Sequence, residues 1–219
     1  MTDGKKRCVV LISGRGSNLD ALLKAAQAED YPAMIVGVVS NKADAAGLTL
    51  AYEAGIPTVV VASSPEQDRA AYDAQLKDVI DEFAPDLVVL AGFMRILTPS
   101  FVHHYAGRII NIHPSLLPSF TGLHTHQRAL DAGVLLHGCT VHFVTAELDH
   151  GPMIAQAAVP VFGDDNAQTL SARVLHEEHR IYPLAVRWFA EGRLTMDGQR
   201  VLLKDEIKNP AALLAPYPG

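Results

Sequence analysis

The sequence predicts an α/β fold: an open, mostly parallel, twisted sheet with helices on both faces. Three features predict it. Continuous β-branched and apolar runs such as Cys8-Val9-Val10-Leu11-Ile12 suit strands buried on both faces. These runs alternate with segments of helical periodicity, which implies right-handed crossovers between parallel strands. The first run stops at Ser13-Gly14-Arg15-Gly16-Ser17-Asn18 and gives way to a helix, the strand, glycine turn and helix unit of Rossmann-like folds.

Taken in order, the helix after that turn is marked by Leu19, Leu22, Leu23 and Ala26, with Ser17 or Asn18 available as its cap. The pattern repeats as a strand over 34–39, a helix over 45–54, a strand over 58–61, a longer helix over 68–83 and a buried strand over 87–90. A strand over 109–113 precedes a loop-rich stretch through Pro114, Pro118 and Gly122, and a helix over 125–132 follows. Strands over 139–144 and 153–161 flank the turn-forming Asp149-His150-Gly151-Pro152. A long helix over 166–191 and a polar, hairpin-like tail close the chain.

The bulk properties narrow the class of function. With 219 residues and no sharp compositional shift, the expectation is one domain over 1–219. Hydrophobic residues make up 49% and charged residues 19%, enough apolar material for a sizeable core. The net charge of -6 argues against general binding to nucleic-acid backbones, which needs clustered cations, and favours small-molecule partners. Cys8 and Cys139, one on each of two buried strands, suit a reducing compartment. No apolar stretch reaches the roughly 20 residues of a membrane helix, so no membrane partner and a cytoplasmic location are expected.

Four segments carry candidate chemistry. The turn at Gly14-Arg15-Gly16-Ser17-Asn18 converges backbone N–H groups and a helix dipole on one point, a natural phosphate site. It lacks the third glycine of a dinucleotide fingerprint and the Lys-Ser/Thr pair of a P-loop, so a purely conformational turn stays open. Asn111 and His113 stand two apart on one strand and leave the same face, with Pro114 ending the ladder. A carboxamide that donates to a developing oxyanion and an imidazole that exchanges a proton suit acyl transfer. Asp149 is either a turn-forming residue or, if folded back beside His113, a charge that favours the imidazolium. Gly92-Phe93-Met94-Arg95-Ile96-Leu97 follows a buried strand and is either a wall for a flat heterocycle or an apolar plug. Ten histidines include His103-His104 and His124-Thr125-His126, but neither a nearby cysteine nor a His-Glu-x-x-His helix accompanies them. No metal is expected, and these histidines read as solvated loop residues.

These segments in this order resemble the glycinamide ribonucleotide formyltransferase family over nearly the whole chain. The likeness rests on Ile12 to Asn18, Ser40-Asn41-Lys42, Leu90 to Arg95, Asn111-Ile112-His113-Pro114-Ser115-Leu116-Leu117-Pro118 and Asp149-His150-Gly151-Pro152. Thr121 stands where relatives often carry Pro, and Arg15 sits at a variable position of the turn. The resemblance implies transfer of a formyl group from the cosubstrate 10-formyltetrahydrofolate to the amine of glycinamide ribonucleotide in purine synthesis. It implies Asn111, His113 and Asp149 as catalytic residues, and Gly16, Ser17, Asn18 and Glu178 as contacts to the ribonucleotide. Arg69, Met94, Arg95, Ile96, Leu97 and Asn111 are the implied folate contacts. The implied halves are a nucleotide-binding half over about 1–110 and a catalytic, folate-binding half over about 111–219. A monomer or weak homodimer is expected. The alternatives are a formyltetrahydrofolate hydrolase, whose relatives carry an N-terminal regulatory domain, and a non-catalytic folate- or nucleotide-binding protein. A methionyl-tRNA formyltransferase would add a basic C-terminal domain. A chain whose first strand starts by Cys8 and which ends at Gly219 fits neither extended relative.

Overall fold

In the computed structural model, which describes residues 4–64, 67–208 and 215, β1 (Lys6–Ile12) lies at the centre of a parallel array. Its neighbours are β2 (Ala33–Ser40) on one side and β4 (Leu87–Leu90) on the other, with β3 (Thr58–Val60) beyond β2 and β5 (Ile109–His113) beyond β4. The order β3-β2-β1-β4-β5 reverses its winding between β1 and β4. At such a switch point the segments leaving the carboxyl ends of two adjacent strands diverge, and ligands of open sheets bind there.

The described residues up to Asn111, with Phe143–Leu148, form one compact unit; Ile112–His142 and the described residues from Asp149 onward form another. The division falls within β5. In the first unit, Val9, Leu11, Val39, Tyr72, Leu76, Ile80, Val88 and Leu90 are among the buried side chains of one apolar cluster. Each such side chain contributes about 1.5–3 kcal/mol on burial, so the strands that carry the candidate residues are rigid supports. In the second unit β6 (Leu136–Phe143) pairs antiparallel with β7 (Met153–Pro160), β7 parallel with β9 (Arg200–Leu203), and β9 antiparallel with β8 (Leu194–Asp197). Its smaller cluster includes Cys139, Val159, Leu170 and Val174. The fold is therefore an open, mostly parallel α/β sheet.

The helices start where local chemistry lets them. Asp68 accepts the Ala71 N–H at the head of α3 (Arg69–Glu82), after α1 (Ser17–Ala26) and α2 (Ala46–Glu53). Asn166 and Thr169 form a reciprocal capping box at α6 (Ala167–Ala190). α5 spans Thr125–Asp131. The short α4 (Pro99–His104), not foreseen from sequence, starts from Thr98 with Pro99 in the first turn. Its six residues are too few to show a hydrophobic period. The capping of α1 also differs from expectation: Gly16, not Ser17 or Asn18, is the cap, with φ 77° and no side-chain cap bond. The strand expected over 139–144 begins earlier, at Leu136, because His137 and Gly138 are buried parts of its ladder.

Candidate active site

The glycine turn is shaped by close packing. Gly16 is left-handed, and a Cβ placed on it would lie 2.7 Å from the Gly47 Cα at the start of α2. Only glycine meets both conditions. Because no side chain caps α1, its first turn offers backbone N–H groups and the positive end of the dipole to an anion. Ser17 is half-buried, Asn18 buried and Arg15 exposed.

The loop after β4 is fastened to that turn. The Ser13 hydroxyl donates to Asn41 Oδ1 (2.5 Å) and accepts the Met94 N–H (2.8 Å), so one buried oxygen joins the end of β1, the end of β2 and the 92–97 segment. Phe93 and Leu97 are buried, whereas Met94 and Ile96 are 63% and 59% exposed. Phe93 and Leu97 thus plug the core, while Met94 and Ile96 leave an apolar face outside it. Arg69 Nη2 donates to the Ile96 carbonyl at 2.9 Å and braces that face from α3. The Arg95 guanidinium lies 4.0 Å over the Tyr72 ring, so this side chain packs on its own unit.

In the second unit, Asp149 folds back on His113. Nδ1 of the imidazole is 3.5 Å from Asp149 Oδ2, both residues are buried, and the same carboxylate oxygen accepts the Gly122 N–H at 2.8 Å. Nε2 of His113 lies 3.0 Å from the Phe120 carbonyl. Each ring nitrogen therefore faces an oxygen acceptor. Only the doubly protonated ring can donate toward both. Asp149 has φ 56°, a conformation that Asp tolerates better than most residues, so it both forms the turn and approaches His113. Asn111 precedes His113 by two positions on β5, in register with Leu90 of β4. Glu178 is buried on α6.

Several of the other histidines depart from expectation, His142 on β6, 2% exposed, among them. His104 contacts Asp81 at 3.0 Å on the surface, and His124 is exposed at the head of α5. His126, however, is half-buried and meets His137 edge to face, with ring centroids 5.3 Å apart. His137, on β6, is 1% exposed. Burial, with the nearby His126, holds the His137 ring down at about 4, and burial together with His113 lowers His126. Neither of these is a solvated loop residue; β6 is buried continuously from His137 to Phe143, and a ladder starting at Cys139 would have left His137 outside it. Among the described residues no group of three His, Cys, Asp or Glu side chains could hold a metal ion, and no helix is long and apolar enough to cross a membrane.

The open α/β fold and the buried His113–Asp149 contact suit an enzyme of the formyl transferase class, and residues 6–186 match the family described as Formyl transferase. The chain is 56% identical to phosphoribosylglycinamide formyltransferase of Escherichia coli (strain K12) over 200 residues, which cover 88% of this chain and 94% of that one. It is 50% identical to the trifunctional purine biosynthetic protein adenosine-3 of Bos taurus over 192 residues, 88% of this chain and 19% of that protein. The crystal structure of glycinamide ribonucleotide transformylase 1 from Symbiobacterium toebii superposes with a TM-score of 0.90 at 46% identity, over 93% of this chain and 96% of that one. This chain belongs to the phosphoribosylglycinamide formyltransferase family.

Proposed function

We propose that the enzyme moves the formyl group of 10-formyltetrahydrofolate onto the amine of phosphoribosylglycinamide, the formyl transfer of purine synthesis. The observation that carries the reading is the buried pairing of Asp149 with His113, which ends the strand that also bears Asn111. The amine attacks the formyl carbon, a C–N bond forms, and the bond from that carbon to the folate nitrogen breaks. One proton passes in net from the amine to the leaving nitrogen. Asn111 donates to the oxyanion that develops at the carbon, and protonated His113 supplies the proton to the leaving group. Asp149 keeps the ring oriented and offsets its charge, and it passes the amine's proton on through water. No covalent link to the enzyme is needed.

Binding follows the same division. Gly16, Ser17 and Asn18 take the phosphate at the uncapped head of α1, and Glu178 takes the ribose hydroxyls. The exposed Met94 and Ile96 side chains, steadied by Arg69 and by the bond from Ser13 to Met94, suit a flat, largely apolar ring. Leu97 and Arg95 support that face from below, and Asn111 also meets the folate. In this reading about 1–110 is the nucleotide-binding half and about 111–219 the catalytic half. The partners are small molecules, no metal takes part, and the protein is a cytoplasmic monomer or weak homodimer.

Purified protein mixed with 10-formyltetrahydrofolate, with and without the ribonucleotide, tests this. Tetrahydrofolate released only when the ribonucleotide is present supports transfer. Release without it indicates a hydrolase, and no release in either mixture indicates a binding protein.

A further inference from the structure

His113 is held on one side by a residue in an unfavourable conformation. Phe120, whose carbonyl accepts from His113 Nε2, has φ 55°, a left-handed backbone that a bulky non-glycine residue keeps only when its surroundings impose it. Its ring meets His137 edge to face, centroids 5.8 Å apart at 76°, and His137 in turn meets His126 at 88°. Arg128 Nη1 donates to the carbonyl of Thr121, the next residue along, at 2.5 Å. Aromatic and cationic contacts of this kind add stabilisation beyond area burial, enough to hold a single strained residue.

We propose that His137 is a positioning residue for the reaction: its buried ring backs Phe120, and through the Phe120 carbonyl it fixes the rotation that turns His113 toward Asp149. Two further observations fit. Neither nitrogen of His137 makes a hydrogen bond of good geometry, with only the Pro114 carbonyl close enough to be felt, so the ring serves by its shape. Its burial also keeps it uncharged, so it meets Phe120 as a neutral ring.

The inference rests on His113 as the acid–base residue, and the test separates the two. In ¹⁵N-histidine protein, the His113 Nε2 proton is followed by NMR in His137→Phe, which keeps the ring, and in His137→Ala, which removes it. A slowly exchanging Nε2 proton in the wild type and in His137→Phe, lost in His137→Ala, is the expected result. The turnover expected alongside is near normal for His137→Phe and about 10- to 100-fold lower for His137→Ala, with both KM values within about threefold. If His137→Ala does not fold, Phe120→Gly, which suits the left-handed backbone and removes the ring contact, gives the same readout. An unchanged His113 signal in a folded His137→Ala or Phe120→Gly protein overturns the positioning role. A changed signal with unchanged turnover upholds it and refutes His113 as the acid–base residue instead.

Discussion

Nδ1 of His113 lies 3.5 Å from Oδ2 of Asp149, and the Gly122 N–H donates to that same oxygen at 2.8 Å. Asp149→Asn leaves an amide oxygen that can still accept from Gly122 but removes the negative charge beside the imidazole. Turnover should fall about 10²- to 10⁴-fold, the usual contribution of a positioned acid–base group, with little change in KM. A drop of less than about threefold in steady-state kcat would mean that Asp149 serves only the turn.

Gly16 and Gly47 meet where no side chain fits. Gly16→Ala should cost at least about 1–3 kcal/mol from its backbone angle alone, read from urea unfolding, and should weaken ribonucleotide binding as the head of α1 shifts. Gly163→Ala, at a site with open space and no left-handed requirement, serves as the control and should stay within about 0.5 kcal/mol of the parent.

Arg69 braces the apolar face of Met94 and Ile96 by its bond to the Ile96 carbonyl. Arg69→Ala should raise KM for the formyl donor about tenfold and leave kcat within about twofold, because it removes binding common to ground and transition states. Initial rates at varied donor concentration check this; a fall in kcat with KM unchanged would place Arg69 in the chemistry.

Most of the sheet was legible because buried parallel strands are nearly continuous apolar runs, and β1, β2 and β4 have that form. The glycine turn and the β5 pair were legible for a local reason: each lies within one short segment. What could not be read was side-chain contact across segments. The cap of α1 was misassigned because Ser17 and Asn18 have capping chemistry, while the contact between Gly16 and Gly47 that decides the matter is tertiary. The edge-to-face contact of His137 with Phe120 escaped for the same reason, although an imidazole directly after Leu135 and Leu136 was a signal that it would be buried.

That burial makes stability depend on pH. His137 titrates near 4 in the folded protein, against about 6.5 unfolded. Between these values the unfolded chain binds more protons, so stability rises with pH across the window and is lost as pH falls below about 6.5. The full effect is on the order of 3 kcal/mol, and His126, also lowered by burial, adds in the same direction. Urea midpoints from pH 4 to 8 should show the slope, and His137→Phe should flatten it. An equal slope in that variant would assign the pH dependence to other groups.

If His113 performs the proton transfer, its loss shows in turnover and not in binding. His113→Ala is compared with the parent in two assays, turnover with saturating donor and ribonucleotide, and calorimetric affinity for each. Turnover should be lower by about 10³-fold or more, with both affinities within about threefold. Near-normal turnover, or a loss explained wholly by weaker binding, would contradict it.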